Sequence, residues 1–242
     1  MSGYLARIGG DARREAPEPT RGFAAALAQG RHLAVIAELK RSSPSQGAIA
    51  PGADLVAAAA GYEAGSAACL SVLCAERDFG GSLDDLTAAR TAVSIPAIAK
   101  DFTVFPEQVA RQRLAGADAI LVILAMVSDN EARRLIETAA LLGMDALVET
   151  HDEAEIERAL GLGAAVVGVN ARDLNTLTID RDRQLRLLAS LPAEVVRVAE
   201  SGIAARDHVV QARDAGADAV LVGTALMRDA SLLAQLVGVE RG

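Results

Sequence analysis

The chain has 242 residues, of which 51% are hydrophobic and 23% charged, a composition typical of a soluble globular protein. Its net charge of −8 and its aromatic content of 2% argue against a basic nucleic-acid surface and against a stacking platform for single-stranded bases. The sequence shows no apolar segment of membrane-spanning length and no signal-peptide core, and two cysteines, Cys69 and Cys74, cannot build a disulfide framework. We therefore expect a cytoplasmic protein with neither nucleic-acid nor membrane partners.

The first predicted elements are two helices, at 4–15 and 21–29, which Pro17 and Pro19 separate. They belong to an N-terminal segment, residues 1–33, that precedes the first predicted strand. We interpret this segment as a helical extension packed over one mouth of the domain that follows. The alternative interpretation is a frayed leader without a fixed place.

Eight predicted strands follow, each short, mostly apolar and without polar alternation, as is typical of strands buried on both faces of a parallel sheet. They span 34–40, 69–73, 97–100, 119–124, 146–149, 165–170, 195–199 and 219–222. Helical patterns follow the strands at 54–63, 83–92, 106–114, 129–142, 152–160, 180–189, 206–214 and 231–239.

An internal repeat supports a barrel. The segment Ala-Gly-Ala-Asp-Ala occurs at 115–119 and again at 215–219, and each copy leads into an apolar strand. Eight strand–helix units with such a repeat predict a single (β/α)₈ barrel over residues 34–242. The alternative, a doubly wound sheet, usually has a GxGxxG loop after its first strand. Here the first strand is followed by Arg41-Ser42-Ser43-Pro44 instead.

Charged and amide side chains stand at the ends of the predicted strands, where a barrel of this kind has its active site. They are Glu38 and Lys40, Lys100, Glu149, Asn170 and Glu200. Glu38 and Lys40 are two residues apart and therefore point to the same side of their strand. A structural salt-bridge network explains any one of these residues, but buried charges are costly, and the whole set favours acid–base chemistry.

Small residues end the last two strands, as Ser201-Gly202 and as Gly223-Thr224. The loops after strands seven and eight are the usual phosphate site of this barrel, so the pair predicts a phosphorylated ligand. Ordinary tight turns are the alternative for either glycine alone. The three histidines, His32, His151 and His208, lack metal-ligand spacing and are predicted to be surface or loop residues.

Seven short segments match one enzyme family in the family's own order, across residues 34–230. They are IAELKRSSPS at 36–45, FGGS at 79–82, KDF at 100–102, LVE at 147–149, GVNARDL at 168–174, AESGI at 199–203 and LVGTALM at 221–227. With these segments the chain resembles the indole-3-glycerol phosphate synthase family of tryptophan biosynthesis. The first segment and the combination of KDF with AESGI are the most specific.

The resemblance implies a reaction. The substrate is expected to be 1-(2-carboxyphenylamino)-1-deoxyribulose 5-phosphate, whose ring closure, decarboxylation and dehydration give indole-3-glycerol phosphate. Such an enzyme is a carbon–carbon lyase that uses no cofactor and no metal. The resemblance also suggests transient contact with other enzymes of the tryptophan pathway.

The resemblance also assigns roles to residues. Lys100 matches the general acid and Glu149 the usual base, while Glu38 and Lys40 share or take over the dehydration step. Asn170 and Glu200 complete the catalytic set. The expected substrate-binding residues are Ser43 and Arg172 for the carboxylate and sugar hydroxyls, Phe79 and Phe102 for the aromatic ring, and Ser201, Gly202, Gly223 and Thr224 for the phosphate.

Two other functions compete with this interpretation. A phosphoribosylanthranilate isomerase needs a Cys–Asp pair at strands one and six, but these strands end in Glu38 with Lys40 and in Asn170. A non-catalytic, degenerate barrel would be favoured by the loss of Lys100, Glu149 or Glu38, and all three are present.

Overall fold

The computed structural model describes residues 18–44, 47–50 and 52–242. Eight parallel strands form a closed barrel in chain order, and the first strand pairs with both the second and the last. The strands are β1 (Ala34–Leu39), β2 (Cys69–Leu73), β3 (Ala97–Lys100), β4 (Ala119–Ile123), β5 (Asp145–Thr150), β6 (Val166–Asn170), β7 (Val196–Glu200) and β8 (Ala219–Val222). The closed order confirms the predicted (β/α)₈ barrel, because a doubly wound sheet would leave two free edges.

The helices lie around this barrel. They are α1 (Phe23–Ala28), α2 (Leu55–Ala64), α3 (Glu76–Phe79), α4 (Leu83–Ala92), α5 (Pro106–Leu114), α6 (Asp129–Leu141), α7 (Glu153–Gly161), α8 (Arg181–Ser190), α9 (Arg206–Asp214), α10 (Thr224–Arg228) and α11 (Leu233–Leu236). Two short 3₁₀ turns, Leu124–Met126 and Ala230–Leu232, complete them. Within the described ranges, no helix is long and apolar enough to cross a bilayer.

Most predicted helices are confirmed to within a residue. One predicted helix is shorter in the structure, and two short helices of the structure were not predicted. The predicted helix at 231–239 is reduced to a 3₁₀ turn and α11, because Val237 is already extended and Gly238 has a positive φ of 74°. Helices α3 and α10, of four and five residues, were not predicted. Neither is long enough to show a helical period in the sequence.

Strand side chains alternate between two apolar layers. One set, including Val35, Val72 and Val148, faces the surrounding helices. The other set fills the barrel interior, where Ile36, Leu147 and their neighbours pack together. The alternation then places the next inward-facing position of several strands at their C-terminal ends, above this apolar core.

Helix α1 covers the N-terminal end of the barrel. Phe23 and Leu27 are fully buried and pack into the interior cluster. The backbone N–H of Arg21 donates to Oδ1 of Asp118 at 2.9 Å, and that of Ala24 donates to Oδ2 of Asp145 at 2.8 Å. Both aspartates stand at strand beginnings, so α1 lies at the end of the barrel opposite to the strand C-termini. The predicted helix at 4–15 lies outside the described residues, and the division of the chain at residue 33 stays a prediction.

We expect Phe23→Ala to lower the free energy of unfolding by about 3–5 kcal/mol, because it opens a cavity beneath a packed interior. Denaturant unfolding measures this loss. The matched control is Phe105→Ala, since the Phe105 side chain is 63% exposed and its removal should change stability by about 0.5 kcal/mol or less. Equal losses in the two variants would show that α1 does not seal the core.

Candidate active site

The charged residues predicted from the strand ends lie together above the apolar interior. Lys100 Nζ lies 2.8 Å from Glu149 Oε2 and 3.1 Å from Glu200 Oε2. Lys40 Nζ lies 2.7 Å from Glu38 Oε1. The alternation explains this placement: Glu38, Lys100 and Glu149 each stand two residues after an interior side chain, namely Ile36, Ile98 and Leu147.

The second oxygen of Glu149 has its own partners. Asn170 Nδ2 donates to Glu149 Oε1 at 3.0 Å, and His151 Nε2 lies 3.4 Å from the same atom. His151 lies in the loop between β5 and α7, as predicted, but it is not an isolated residue, since its side chain is only 12% exposed and contacts the charged cluster. The signal in the sequence was its spacing, two residues after Glu149 at the end of a strand.

The charged residues of this cluster shift one another's pKa values in different directions. Burial disfavours the charge of Lys100, but Glu149, Glu200 and Glu38 outweigh it and raise the pKa of the ammonium. Burial also disfavours the charge of Glu149, yet Lys100, together with the neighbouring His151 and a hydrogen bond from Asn170, lowers the pKa of that carboxyl. Burial and the nearby Glu149 raise the pKa of Glu200 against the attraction of Lys100. Glu149 is therefore the ionised carboxylate, and Glu200 is the one that takes up a proton first.

Two glycines make room for the cluster. A Cβ atom at Gly168 would overlap Oε1 of Glu200. A Cβ atom at Gly223 would overlap Oε1 of Glu38 and would lie 2.9 Å from Lys40 Nζ. Gly223 thus serves the charged layer as well as the loop after β8, a role that the sequence alone did not reveal.

Above the charged layer lies an open cavity of about 890 Å³. Every site residue predicted from the sequence lines it: Glu38, Lys40, Ser43, Phe79, Lys100, Phe102, Glu149, Asn170, Arg172, Glu200, Ser201, Gly202, Gly223 and Thr224. Phe79 and Phe102 form part of its wall, with ring centroids 6.2 Å apart and planes at 51°. The cavity combines an apolar wall with a charged floor, as a site for an aromatic, anionic ligand requires.

The loop after β7 has an unusual backbone. Ser201 and Gly202 are consecutive residues with φ of 66° and 74°, and a serine in this left-handed region is uncommon. The carbonyl of Gly202 accepts a hydrogen bond from Arg181 Nη1 at 3.2 Å, which ties the loop to helix α8. Such a held, strained turn at the mouth of a cavity suggests a binding role.

The remaining polar side chains near the cavity differ in whether they have hydrogen-bond partners. Arg172 Nη1 donates to the carbonyl of Leu177 at 2.9 Å, which orients the guanidinium at the cavity wall. The buried hydroxyl of Ser43 has no hydrogen-bond partner among the described residues. Ser71 was missed in the sequence: its hydroxyl lies 3.4 Å from Glu38 Oε2 and is buried. A polar residue inside an otherwise apolar strand was the available signal.

Comparisons with known proteins agree on one family. The family model described as indole-3-glycerol phosphate synthase matches residues 6–237. A protein of that name from Mycolicibacterium vanbaalenii is 50% identical over 214 residues, which are 88% of this chain and 78% of the relative. Another from Hyphomonas neptunium is 46% identical over 225 residues, 92% of this chain and 85% of the relative.

A solved structure of thiamine phosphate pyrophosphorylase from Pyrococcus furiosus superposes on this barrel with a TM-score of 0.62. It covers 84% of this chain and 93% of its own, at 14% sequence identity. At that identity the likeness shows the fold alone.

Proposed function

The chain belongs to the indole-3-glycerol phosphate synthase family, and from that membership we propose how its residues carry out the reaction. The activity is that of a carboxy-lyase of tryptophan biosynthesis, which converts 1-(2-carboxyphenylamino)-1-deoxyribulose 5-phosphate into indole-3-glycerol phosphate. The observation that carries the proposed roles is the contact of Lys100 with both Glu149 and Glu200 at the floor of the cavity. An isomerase of phosphoribosylanthranilate is not supported, because the matched relatives carry the synthase name.

Substrate binding follows from the cavity's lining. We place the aromatic ring against Phe79 and Phe102, and its carboxylate near Arg172 and the unpartnered hydroxyl of Ser43. The phosphate is placed at the loops of Ser201-Gly202 and Gly223-Thr224, whose small side chains allow close approach to the backbone. Binding at both ends holds the ribulose carbonyl over the charged floor.

Ring closure needs a proton donor. The aryl carbon that bears the carboxylate attacks the ribulose carbonyl, and a carbon–carbon bond forms as the carbonyl oxygen becomes a hydroxyl. Lys100 is the proposed donor of that proton, because its surrounding carboxylates keep the amine protonated until substrate arrives. Departure of carbon dioxide then restores the aromatic ring without a further proton donor.

Dehydration needs both an acid and a base. The hydroxyl leaves as water after gaining a proton, while the five-membered ring gives one up. Glu149 is the proposed proton acceptor, since Lys100, His151 and Asn170 keep it ionised. The paired Glu38 and Lys40 share or take over this step, and their 2.7 Å contact allows a proton to pass between them.

The direct test is to mix the purified protein with the carboxyphenylamino-deoxyribulose phosphate and follow the fluorescence of the indole product. Product formation that depends on the protein supports the proposal. A folded protein that forms no product would refute it and would favour a non-catalytic barrel.

For the phosphate loops we expect Gly202→Val to raise KM more than it lowers kcat, because phosphate is held about equally in the ground and transition states. Gly223→Val should lower kcat as well, since its side chain would collide with Glu38 and approach Lys40. Steady-state kinetics separate the two effects. Inorganic phosphate at constant ionic strength should compete with substrate, and absence of inhibition at tens of millimolar would contradict this assignment.

Three further expectations stay predictions. We propose that the protein is cytoplasmic, which fits its two buried, free thiols at Cys69 and Cys74. Transient contact with other enzymes of tryptophan biosynthesis and a reaction without cofactor or metal are implied by the family resemblance. Cell fractionation, co-purification and assay after exhaustive chelation test them in turn.

A further inference from the structure

His151 is a partly buried titratable residue that the reaction as described does not use directly. It follows β5, and its Nε2 atom lies 3.4 Å from Oε1 of Glu149. That nitrogen is buried and makes no hydrogen bond among the described residues, so its contact with Glu149 is an ion pair and not a hydrogen bond. His151 does not line the cavity, so it faces the back of the proposed base rather than the substrate.

The other side of the imidazole is fixed by helix α7. Nδ1 of His151 lies 3.0 Å from Oε2 of Glu155, and the same oxygen accepts the backbone N–H of His151 at 2.8 Å. The backbone N–H of Glu155 donates to Oδ1 of the helix N-cap residue, Asp152, at 2.8 Å. The ring is therefore held between one carboxylate from its own strand and one from the following helix.

We propose that His151 is a positioning residue for Glu149: anchored by Glu155, it keeps the carboxylate turned toward Lys100 and ionised. The proposal rests on the proposed function, because it gives a reason why Glu149 is ready to accept a proton. Glu149 receives Lys100 on one oxygen, and Asn170 and His151 on the other. Loss of the imidazole would leave the carboxylate without one of its two cationic neighbours.

Both ring nitrogens face carboxylates, and only the protonated imidazole has two N–H donors to offer them. Burial by itself would lower the pKa of His151, but Glu149 and Glu155 outweigh it and raise that pKa to about 9. Behind Glu149 lie the cation Lys100 and the carboxyl of Glu200. The imidazolium is therefore present at neutral pH and is lost as the pH rises through about 9.

This arrangement predicts where turnover falls at high pH. The carboxylates raise the pKa of Lys100 as well, and from a higher ordinary value, so His151 is the first of the two cations to lose its proton. We expect kcat to decline with an alkaline limb near pH 9, while KM changes little. A purely structural histidine would leave the pH profile of kcat unchanged.

Glu155→Gln is the sharpest test, because Glu155 lies outside the cavity and the substitution keeps its size. It removes one of the two carboxylates that hold the proton on His151. We expect the alkaline limb to move to lower pH by about one unit, a tenfold change in the imidazole's proton affinity. At pH 7, kcat should stay within about twofold of the parent value.

His151→Asn tests the residue itself. We expect kcat at pH 7 to fall by about tenfold, less than the roughly 10²-fold or greater loss of a general base, with KM within about twofold. The limb near pH 9 should be absent. The matched control is His32→Asn, at an exposed histidine remote from the cavity, which should retain the parent profile.

Nuclear magnetic resonance of the histidine rings gives a readout that does not depend on activity. His151 should titrate near pH 9 in the parent protein and lower in Glu155→Gln. Titration of His151 near pH 6.5 would overturn the proposal, as would an alkaline limb of kcat at the same pH in the parent and in Glu155→Gln. Both results can be obtained even if His151→Asn fails to fold. A parent protein that makes no indole product would instead refute the proposed function and leave the histidine titration intact.

Discussion

Lys100→Ala should lower turnover by roughly 10²-fold or more, the scale of one lost general acid. The ammonium is the group that contacts both buried carboxylates, Glu149 at 2.8 Å and Glu200 at 3.1 Å. Its removal takes away the proposed proton donor for ring closure. Single-turnover formation of the indole product measures the loss in the chemical steps without product release, and product formation within tenfold of the parent would remove Lys100 from that role.

Lys100→Ala also leaves two buried carboxylates facing each other, so a loss of turnover in this variant alone does not separate proton donation from correct folding. Lys100→Arg is the matched control, because arginine keeps the positive charge between Glu149 and Glu200 but does not release a proton in proteins. We expect Lys100→Arg to unfold at a higher denaturant concentration than Lys100→Ala and to be nearly as inactive. Substantial turnover in the arginine variant would show that charge, rather than proton donation, is what the reaction needs.

Glu149→Gln should also lower turnover by roughly 10²-fold or more, with little loss of stability. Removing one partner of a buried ion pair usually costs about 3–5 kcal/mol, because the other charge is left alone. Here Lys100 keeps Glu200 at 3.1 Å. With the nearby negative charge gone, Glu200 also ionises more readily, and the cluster retains one ion pair.

The denaturant midpoint and the turnover of Glu149→Gln should be measured on the same preparation. We expect a change of about 1 kcal/mol or less in the free energy of unfolding. The reason is the second carboxylate and not exposure, since Glu149 is only 1% exposed. A large fall in the midpoint with turnover nearly intact would assign Glu149 to the scaffold.

Much of the barrel and of its charged floor was predictable from local patterns. The two-residue spacing of Glu38 and Lys40, and the position of Lys100 at the end of an apolar strand, need only the alternation of a strand to be interpreted. The repeat at 115–119 and 215–219 marks a helix end followed by a buried strand, and the structure has that arrangement at both places. These features are set by residues close together in the chain, so they can be predicted from the sequence.

The parts that could not be predicted depend on contacts between distant segments. Gly168 reads as an ordinary strand glycine until β7 places Glu200 beside it. Nothing local in 21–29 says that α1 covers the N-terminal end, because its anchors, Asp118 and Asp145, come about a hundred residues later. His151 is the exception, because its partners Glu149 and Glu155 are only two and four residues away and the spacing was available in the sequence.

Phe23 and Leu27 of helix α1, which fill the N-terminal end of the barrel, also limit the routes by which molecules reach and leave the cavity. With that end filled, the cavity lined by the described residues opens at the strand C-termini, where the exposed Phe102 and Met126 stand. We expect substrate to enter there, and carbon dioxide, water and the indole product to leave by the same route. We therefore expect the indole product to leave through this opening before the next substrate can enter.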